Sequence, residues 1–324
     1  MNEIPVAAVV LRDASGAVLC VRKATSPRFQ LPGGKIEGEE SPQHAARREV
    51  EEEVGLRLDA HELTPLGTFT APASNEPGMA VRAHVYLHRG VLPATPCAAA
   101  EIAEVAWIHP TLASDHVDGR ELAPLLSREI FPALAPRSLS AVAVYAGANP
   151  GSNPANLELA DRFGAALARR GITLVYGGSR LGVMGRVAAS AMEAGGDSVG
   201  VLTHHLANYE LRFEGLTRLE LVETMAQRKE RMSELSDAVV ALPGGAGTLD
   251  ELFAEWTGQQ LGLRRSPIGL LGVRFWAPFV AMVDHMVAEG FIRREDRESL
   301  VLADDPNELL DALCAWVAPP PRWG

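Results

Sequence analysis

The chain has 324 residues, 47% of them hydrophobic and 22% charged, with a formal net charge of −11, a length that supports two domains with a full hydrophobic core each. The acidity is shared: residues 1–137 carry 13 Lys/Arg against 18 Asp/Glu, and residues 138–324 carry 17 against 23. That balance excludes a general attraction to nucleic acid or anionic membranes, so a small anionic ligand needs a local site of backbone N–H groups, arginines or a metal.

Cys20, Cys97 and Cys314 are scattered without CxxC spacing, which argues against a disulfide scaffold or structural zinc and for a reducing cytoplasm. The start, Met1-Asn2-Glu3-Ile4-Pro5, has no basic leader, and no apolar run reaches the roughly 18 residues a membrane span needs. Only Lys23, Lys35 and Lys229 supply lysines.

In chain order, Val6–Arg12 and Ala17–Arg22 read as strands around a hairpin turn at Asp13-Ala14-Ser15-Gly16. A Gly/Pro loop precedes a helix at Pro42–Val54, and β-like runs follow at Leu66–Thr70, Ala80–His88 and Val105–Ile108. Interleaved strands with one strong helix suggest a mixed α/β sandwich over residues 1–135. Phe131 to Ser138 has the Pro/Ala character of a linker.

After it the pattern changes. Leu139–Tyr145, Ile172–Tyr176, Ser198–Leu202, Ala238–Leu242 and Pro267–Leu271 are short apolar runs, separated by helical stretches at 154–170, 184–194, 222–235, 248–261 and 276–289. Apolar strands alternating with helices predict a Rossmann-like, doubly wound parallel sheet over residues 139–318.

The first chemical constellation lies at 33–56. Ser41 suits an N-cap, Pro42 the first helical position and Gly55 the C-terminal stop. Ala46, Val50 and Val54 can face the core, while Glu49, Glu52 and Glu53 fall at i, i+3 and i+4 and are expected to converge on another face. Converging carboxylates repel one another unless a cation sits between them, and hard oxygen ligands favour Mg²⁺ or Mn²⁺. A bare Glu run more often marks a solvated helix face. Here, however, Gly34, Glu40, Arg48, Glu49, Val50, Glu52, Glu53, Gly55 and Leu56 match every position of Gly-x5-Glu-x7-Arg-Glu-U-x-Glu-Glu-x-Gly-U, with U aliphatic.

Residues 4–130 thus resemble a Nudix hydrolase. The resemblance implies an α/β/α sandwich in which Glu52 and Glu53 bind metal and Glu49 is a further ligand or the base that activates water. It also implies that Arg48 orients the carboxylates, that Glu40 supports the loop, and that the Gly33 carbonyl is a further ligand. Many family members add a later carboxylate. Glu101 and Glu104 are the candidates, and spacing does not choose between them. Substrate specificity is expected in loops such as Ala71–Gly78.

The second constellation follows the apolar run Ala238–Leu242: Pro243-Gly244-Gly245-Ala246-Gly247-Thr248-Leu249-Asp250-Glu251. Glycines between a buried strand and a helix let backbone N–H groups approach a phosphate, and the absence of a following lysine rules out a Walker A loop. A second glycine-rich turn, Tyr176-Gly177-Gly178-Ser179-Arg180-Leu181-Gly182, and the helix start Met225-Ala226-Gln227-Arg228-Lys229-Glu230-Arg231-Met232 accompany it. Together they resemble the LOG (Lonely Guy) family, known by its PGGxGTxxE loop and its Arg-Lys pair. Ser179, Ala226 and Asp250 depart from the usual Gly, His and Glu.

The resemblance implies that a purine nucleoside 5′-monophosphate is split into free base and ribose 5-phosphate without a cofactor, by a homodimer. Glu251 would stabilise the sugar cation and position water, and Arg228 would assist the phosphate or the leaving base. Gly177, Gly178, Lys229, Gly244, Gly245, Gly247 and Thr248 would bind substrate. As ordinary structure, Glu251 would complement a helix dipole, and Arg228 and Lys229 would be exposed helix residues. An older label for such proteins, lysine decarboxylase, requires a Schiff-base lysine. Lys229 is the sole lysine after Lys35 and sits beside an arginine in a polar helical stretch, which argues against that label.

The expectation is a bifunctional nucleotide hydrolase acting on small molecules. Two alternatives treat the Nudix half as a nucleotide sensor or the LOG half as a molybdenum-cofactor carrier. The full carboxylate set and the retention of Arg228 with Glu251 favour catalysis.

Overall fold

The computed structural model describes residues 3–74, 76, 78–110, 114–207 and 212–319. It divides into two compact units, Met1–Pro136 and Arg137–Gly324.

The first unit contains β1 (Glu3–Arg12), β2 (Val18–Lys23), β3 (Phe29–Gln30), β4 (Gly33–Lys35), α1 (Pro42–Val54), β5 (Leu63–Pro72), β6 (Ala80–Val91), β7 (Ile102–Ile108), β8 (His116–Val117) and β9 (Arg120–Glu121). A π-helical turn at Leu126–Ile130 leads into α2 (Phe131–Leu134). The main sheet runs β3-β2-β1-β6-β5, with β4 on β1 and β7 on β2. It is mixed because β1 and β6 are parallel while the other pairs are antiparallel.

Side-chain alternation along β1 builds two faces. Ala7, Val9 and Leu11 pack with Ala46, Val50 and Val54 of α1, while Ile4, Val6 and Ala8 line a cleft with Leu126 and Ile130 of the π turn. The linker expected from Phe131 is corrected here. Phe131 and Ile130 are fully buried and Leu134 nearly so, so the first half of that segment is helix. Burial of its apolar residues outweighs the Pro/Ala composition.

The second unit contains β10 (Ala141–Tyr145), α3 (Ala155–Arg169), β11 (Thr173–Tyr176), α4 (Gly182–Glu193), β12 (Ser198–Thr203), α5 (His204–Ala207), β13 (Arg218–Val222) and α6 (Met225–Glu234). It continues with β14 (Ala238–Ala241), α7 (Ala246–Gln260), β15 (Ile268–Leu271), α8 (Val273–Ala288), α9 (Arg294–Glu298), β16 (Leu300–Ala303) and α10 (Pro306–Cys314). The strands form one parallel sheet ordered β13-β12-β11-β10-β14-β15-β16.

Val142, Val144, Leu174 and Val240 face α3, α4 and α10. Ala143, Tyr145, Val175 and Val239 face α6, α7 and α8 through Met232, Trp256, Trp276 and Phe279. Helices therefore cover both faces, as the apolar strands require. Strand order reverses at β10, whose neighbours are β11 and β14, and in such sheets the crevice at the carboxyl ends of the strands beside that reversal is where ligands bind. Among the described residues, no helix is long and apolar enough to cross a membrane.

Candidate active sites

A cavity of about 520 Å³ opens at that reversal. Three strand–helix turns line it, from β10, β11 and β14, and their close approach explains their glycines. Gly147 N–H donates to the Pro243 carbonyl at 3.1 Å. A Cβ on Gly147 would press on Gly244, and one on Gly244 would overlap Thr248. A Cβ on Gly245 or Gly247 would meet nothing within 4 Å; those positions border open space in the cavity. No side chain caps α7, so the backbone N–H groups of its first turn remain available to an acceptor.

Arg228 enters from the first turn of α6, which Thr224 caps by accepting from Gln227 N–H at 3.1 Å. Arg228 is only 5% exposed. It donates through Nε to the Val201 carbonyl (2.8 Å), through Nη2 to the Gly177 carbonyl (3.1 Å), and through Nη1 to Glu251 Oε1 (3.4 Å). Glu251, one turn into α7, is 5% exposed. Burial pushes its carboxyl up to about 7, against the pull of Arg228. Neither residue is an exposed helix decoration: a buried acid–arginine pair is costly unless the site uses it.

Of the other expected residues, Gly177, Gly244, Gly245, Gly247 and Thr248 line the cavity. Gly178, in the left-handed region at φ 73°, and Lys229 are not among its lining residues. Lys229 Nζ is instead held on Asp250 at 2.8 and 3.0 Å. The turn after β10, with Gly147 and Asn149 on the lining, escaped the sequence reading, although two glycines four apart after an apolar run were a usable signal.

In the first unit, Ser41 Oγ accepts from His44 N–H at 3.2 Å, and Gly55 closes α1 in the left-handed region at φ 69°. The helix presents Glu49 and Glu53 inward and Glu52 outward. Glu53 is 1% exposed, accepting from Gly33 N–H (2.9 Å) and pairing with Lys23 Nζ (3.0 Å). Its burial pushes its carboxyl up to about 7.

Arg48 pairs with Glu40 (2.8 Å), Glu49 (2.9 Å) and Glu52 (3.2 Å), and holds Glu40 down at about 2. The three carboxylates expected to converge are held here by two different cations. Among the described residues, the only trio of potential ligands gathered within 4.8 Å is Asp59, His61 and Glu62. Cations divide the expected set, with Lys23 taking Glu53 while Arg48 takes Glu49 and Glu52.

The donor chemistry still suits a divalent metal. Glu49 and Glu53 are hard-oxygen donors buried beside one strand, β4, and Gly34 is glycine because Glu49 lies where its Cβ would be. Gly33, Glu49, Lys23 and Glu101 line a cleft of about 370 Å³. Glu101 reaches it through Lys23 (2.9 Å), whereas Glu104 turns to Arg22 (3.1 Å) and borders a different hollow. From the 71–78 loop, Pro72, Ser74 and Glu76 line the cleft; Asn75 and Pro77 lie outside the described residues.

A family model described as NUDIX domain matches residues 2–128, and one described as "Possible lysine decarboxylase" matches residues 184–313. A cytokinin riboside 5′-monophosphate phosphoribohydrolase from Rhodococcoides fascians is 41% identical over 174 residues, 53% of this chain and 88% of that protein. The protein of the same name from Mycobacterium tuberculosis is 40% identical over 54% of this chain and 92% of its own length. Both similarities fall in the second unit. Among solved structures, the molybdenum cofactor binding protein from Rippkaea orientalis matches 52% of this chain and 92% of its own, at 22% identity and a TM-score of 0.41. The chain is a hydrolase that carries a Nudix domain in its first half and belongs, through its second half, to the LOG family of cytokinin riboside 5′-monophosphate phosphoribohydrolases.

Proposed function

We propose that the second unit hydrolyses the N-glycosidic bond of a purine nucleoside 5′-monophosphate, AMP or an N6-substituted AMP, to free base and ribose 5-phosphate. One observation carries the reading: a buried Glu251–Arg228 pair faces a glycine-lined cavity beside an uncapped helix start. Water adds to C1′ as the base leaves with a proton, through a sugar cation that a nearby carboxylate stabilises. Glu251 is that carboxylate. The N–H groups of Gly245, Gly247 and Thr248 suit the 5′-phosphate, and Arg228 offsets negative charge on phosphate or departing base. Lys229 acts indirectly, fixing Asp250 at the cavity edge. The names of the relatives and the LOG motifs support this substrate class, and by the same resemblance the unit works as a homodimer.

The first unit, on this reading, cleaves a nucleoside diphosphate-type substrate. Glu49, Glu52, Glu53 and the Gly33 carbonyl would hold Mg²⁺ or Mn²⁺, which would supply charge neutralisation and a more acidic water. Arg48 keeps Glu49 and Glu52 in place, and Lys23 holds Glu53 and Glu101 on the cleft wall. A monophosphate released there is a substrate for the second unit. The deciding experiment incubates the protein with AMP, N6-substituted AMP and a panel of diphosphates, resolving monophosphate, base and ribose 5-phosphate. Release of base from AMP that vanishes in Glu251→Gln supports the reading, and stable AMP overturns it.

A further inference from the structure

Behind the Arg228–Glu251 pair lies a second link between the same two helices. Ser233, five residues after Arg228 on α6, donates to Glu255 Oε2 at 3.0 Å, and Glu255 stands one turn beyond Glu251 on α7. Glu255 is 3% exposed and is not among the residues lining the cavity. Its other oxygen, Oε1, accepts from Tyr145 Oη at 3.3 Å, while Arg264 Nε pairs with Oε2 at 3.4 Å and Arg264 Nη1 reaches the Ser233 hydroxyl. Tyr145 ends β10 and leads directly into the Ala146-Gly147 wall of the cavity. One carboxylate on α7 thereby ties together α6, α7 and β10.

We propose that Glu255 is a positioning residue for the glycosidase: with Ser233, Tyr145 and Arg264 it fixes α6 against α7 at the spacing that Arg228 and Glu251 need, and its charge, one helical turn from Glu251 beside the shared Tyr145 and balanced by Arg264, adds to the field in which Glu251 works. The inference rests on the glycosidase reading above. It follows from the cost of a buried carboxylate, which a fold retains only where partners and role offset it.

The groups facing Glu251 are Arg228 and Lys229 from α6, Asp250 from its own helix and Tyr145 from β10. Those facing Glu255 are Arg264, Tyr145, Ser233 and Lys229. Burial and both carboxylates hold the Tyr145 phenol well above its ordinary range, so it remains a donor.

The test is the pH profile of AMP hydrolysis in Glu255→Gln, Arg264→Gln and the double variant. Glu255→Gln leaves the Arg264 charge unbalanced, favours an ionised Glu251, and moves the acidic limb to lower pH. Arg264→Gln leaves Glu255 unbalanced and moves the limb to higher pH; the double variant returns it toward wild type. Neither residue lines the cavity, so KM holds while kcat falls about tenfold in Glu255→Gln as the pair loses its spacing. Arg264, with a side chain 30% exposed, gives a second variant should Glu255→Gln fold poorly.

Limbs that stay put, or shift the same way in both single variants, overturn the inference, since a merely structural residue moves stability and not the sign of a pH shift. A wild-type protein inert to AMP overturns the glycosidase reading and this inference with it. An active wild type without opposed shifts overturns this inference alone.

Discussion

Arg228 Nη2 donates to the Gly177 carbonyl at 3.1 Å, and the same guanidinium fills the space that a Cβ on Gly177 would occupy. The glycine at the end of β11 therefore serves an arginine on α6. Its second neighbour in that direction is Met184 Sδ, so the arginine has no easy retreat.

Gly177→Ala is accordingly expected to displace the guanidinium from Glu251 and lower kcat/KM for AMP by about 100-fold, since small misplacements near reacting groups are costly. The new methyl also displaces a buried, hydrogen-bonded guanidinium, so folding should lose about 1–3 kcal/mol as well. Steady-state kinetics beside thermal denaturation separate the two. A fully active Gly177→Ala protein would show that Arg228 can work from elsewhere.

The pH dependence follows from Glu251. Its carboxyl is pushed from 4.5 to about 7 by burial, and the charged form is needed to stabilise a sugar cation. Glycosidase kcat/KM should therefore rise with pH through about 7. The stability effect has the opposite sense. A carboxyl raised in the fold contributes stability that is fully present below about 4.5 and lost as pH rises through about 7. Thermal unfolding at pH 5 and pH 8 should show a drop in Tm that Glu251→Gln reduces. A Tm equally pH-sensitive in both proteins would assign the effect to another group.

What the sequence disclosed depended on how local the cause was. Helix α1 was legible to its ends because Ser41, Pro42 and Gly55 are local signals. Strands β10, β11, β12, β14 and β15 were legible because burial on both faces leaves continuous apolar runs. Edge strand β13 was not: Arg218–Val222 is half exposed and charged. The membership of Glu251 and Arg228 in one site was legible only through motif resemblance, because the carbonyls of Val201 and Gly177 that hold Arg228 come from other strands. Helical spacing misplaced Glu53, whose direction is set by Lys23 on β2 and the Gly33 N–H on β4. Those partners lie 30 and 20 residues away, outside any periodicity.

That arrangement makes Glu53→Gln informative. The variant keeps an acceptor for Gly33 N–H but removes the charge opposite Lys23, so diphosphate cleavage should fall by at least about 100-fold while AMP hydrolysis is untouched. Glu104→Gln, on a side chain turned to Arg22, should leave diphosphate cleavage within about twofold of wild type, whereas Glu101→Gln, beside Lys23 on the cleft, should not. Product analysis with Mg²⁺ present measures all three. A Glu104→Gln enzyme as impaired as Glu101→Gln would reverse the choice between them.

The two glycines that open the PGG loop should behave differently, and their difference tests whether the loop holds a phosphate. Added to Gly244, a methyl would overlap Thr248 and approach Gly147 N, so Gly244→Ala must push two loops apart and is expected to destabilise the second unit by about 1–3 kcal/mol. Added to Gly245, it meets no protein atom within 4 Å, and the backbone there, at φ −101°, suits any residue. Gly245→Ala should therefore unfold like wild type. Yet the methyl would project at the uncapped start of α7, where a phosphate must come close to backbone N–H groups to gain from them. KM for AMP should rise about tenfold or more in Gly245→Ala, with Tm unchanged. The nucleoside adenosine, a poor substrate for want of its phosphate, should be equally poor in both proteins. If Gly245→Ala binds AMP normally, the phosphate is held elsewhere in the cavity, and the turns after β10 and β11 become the places to look.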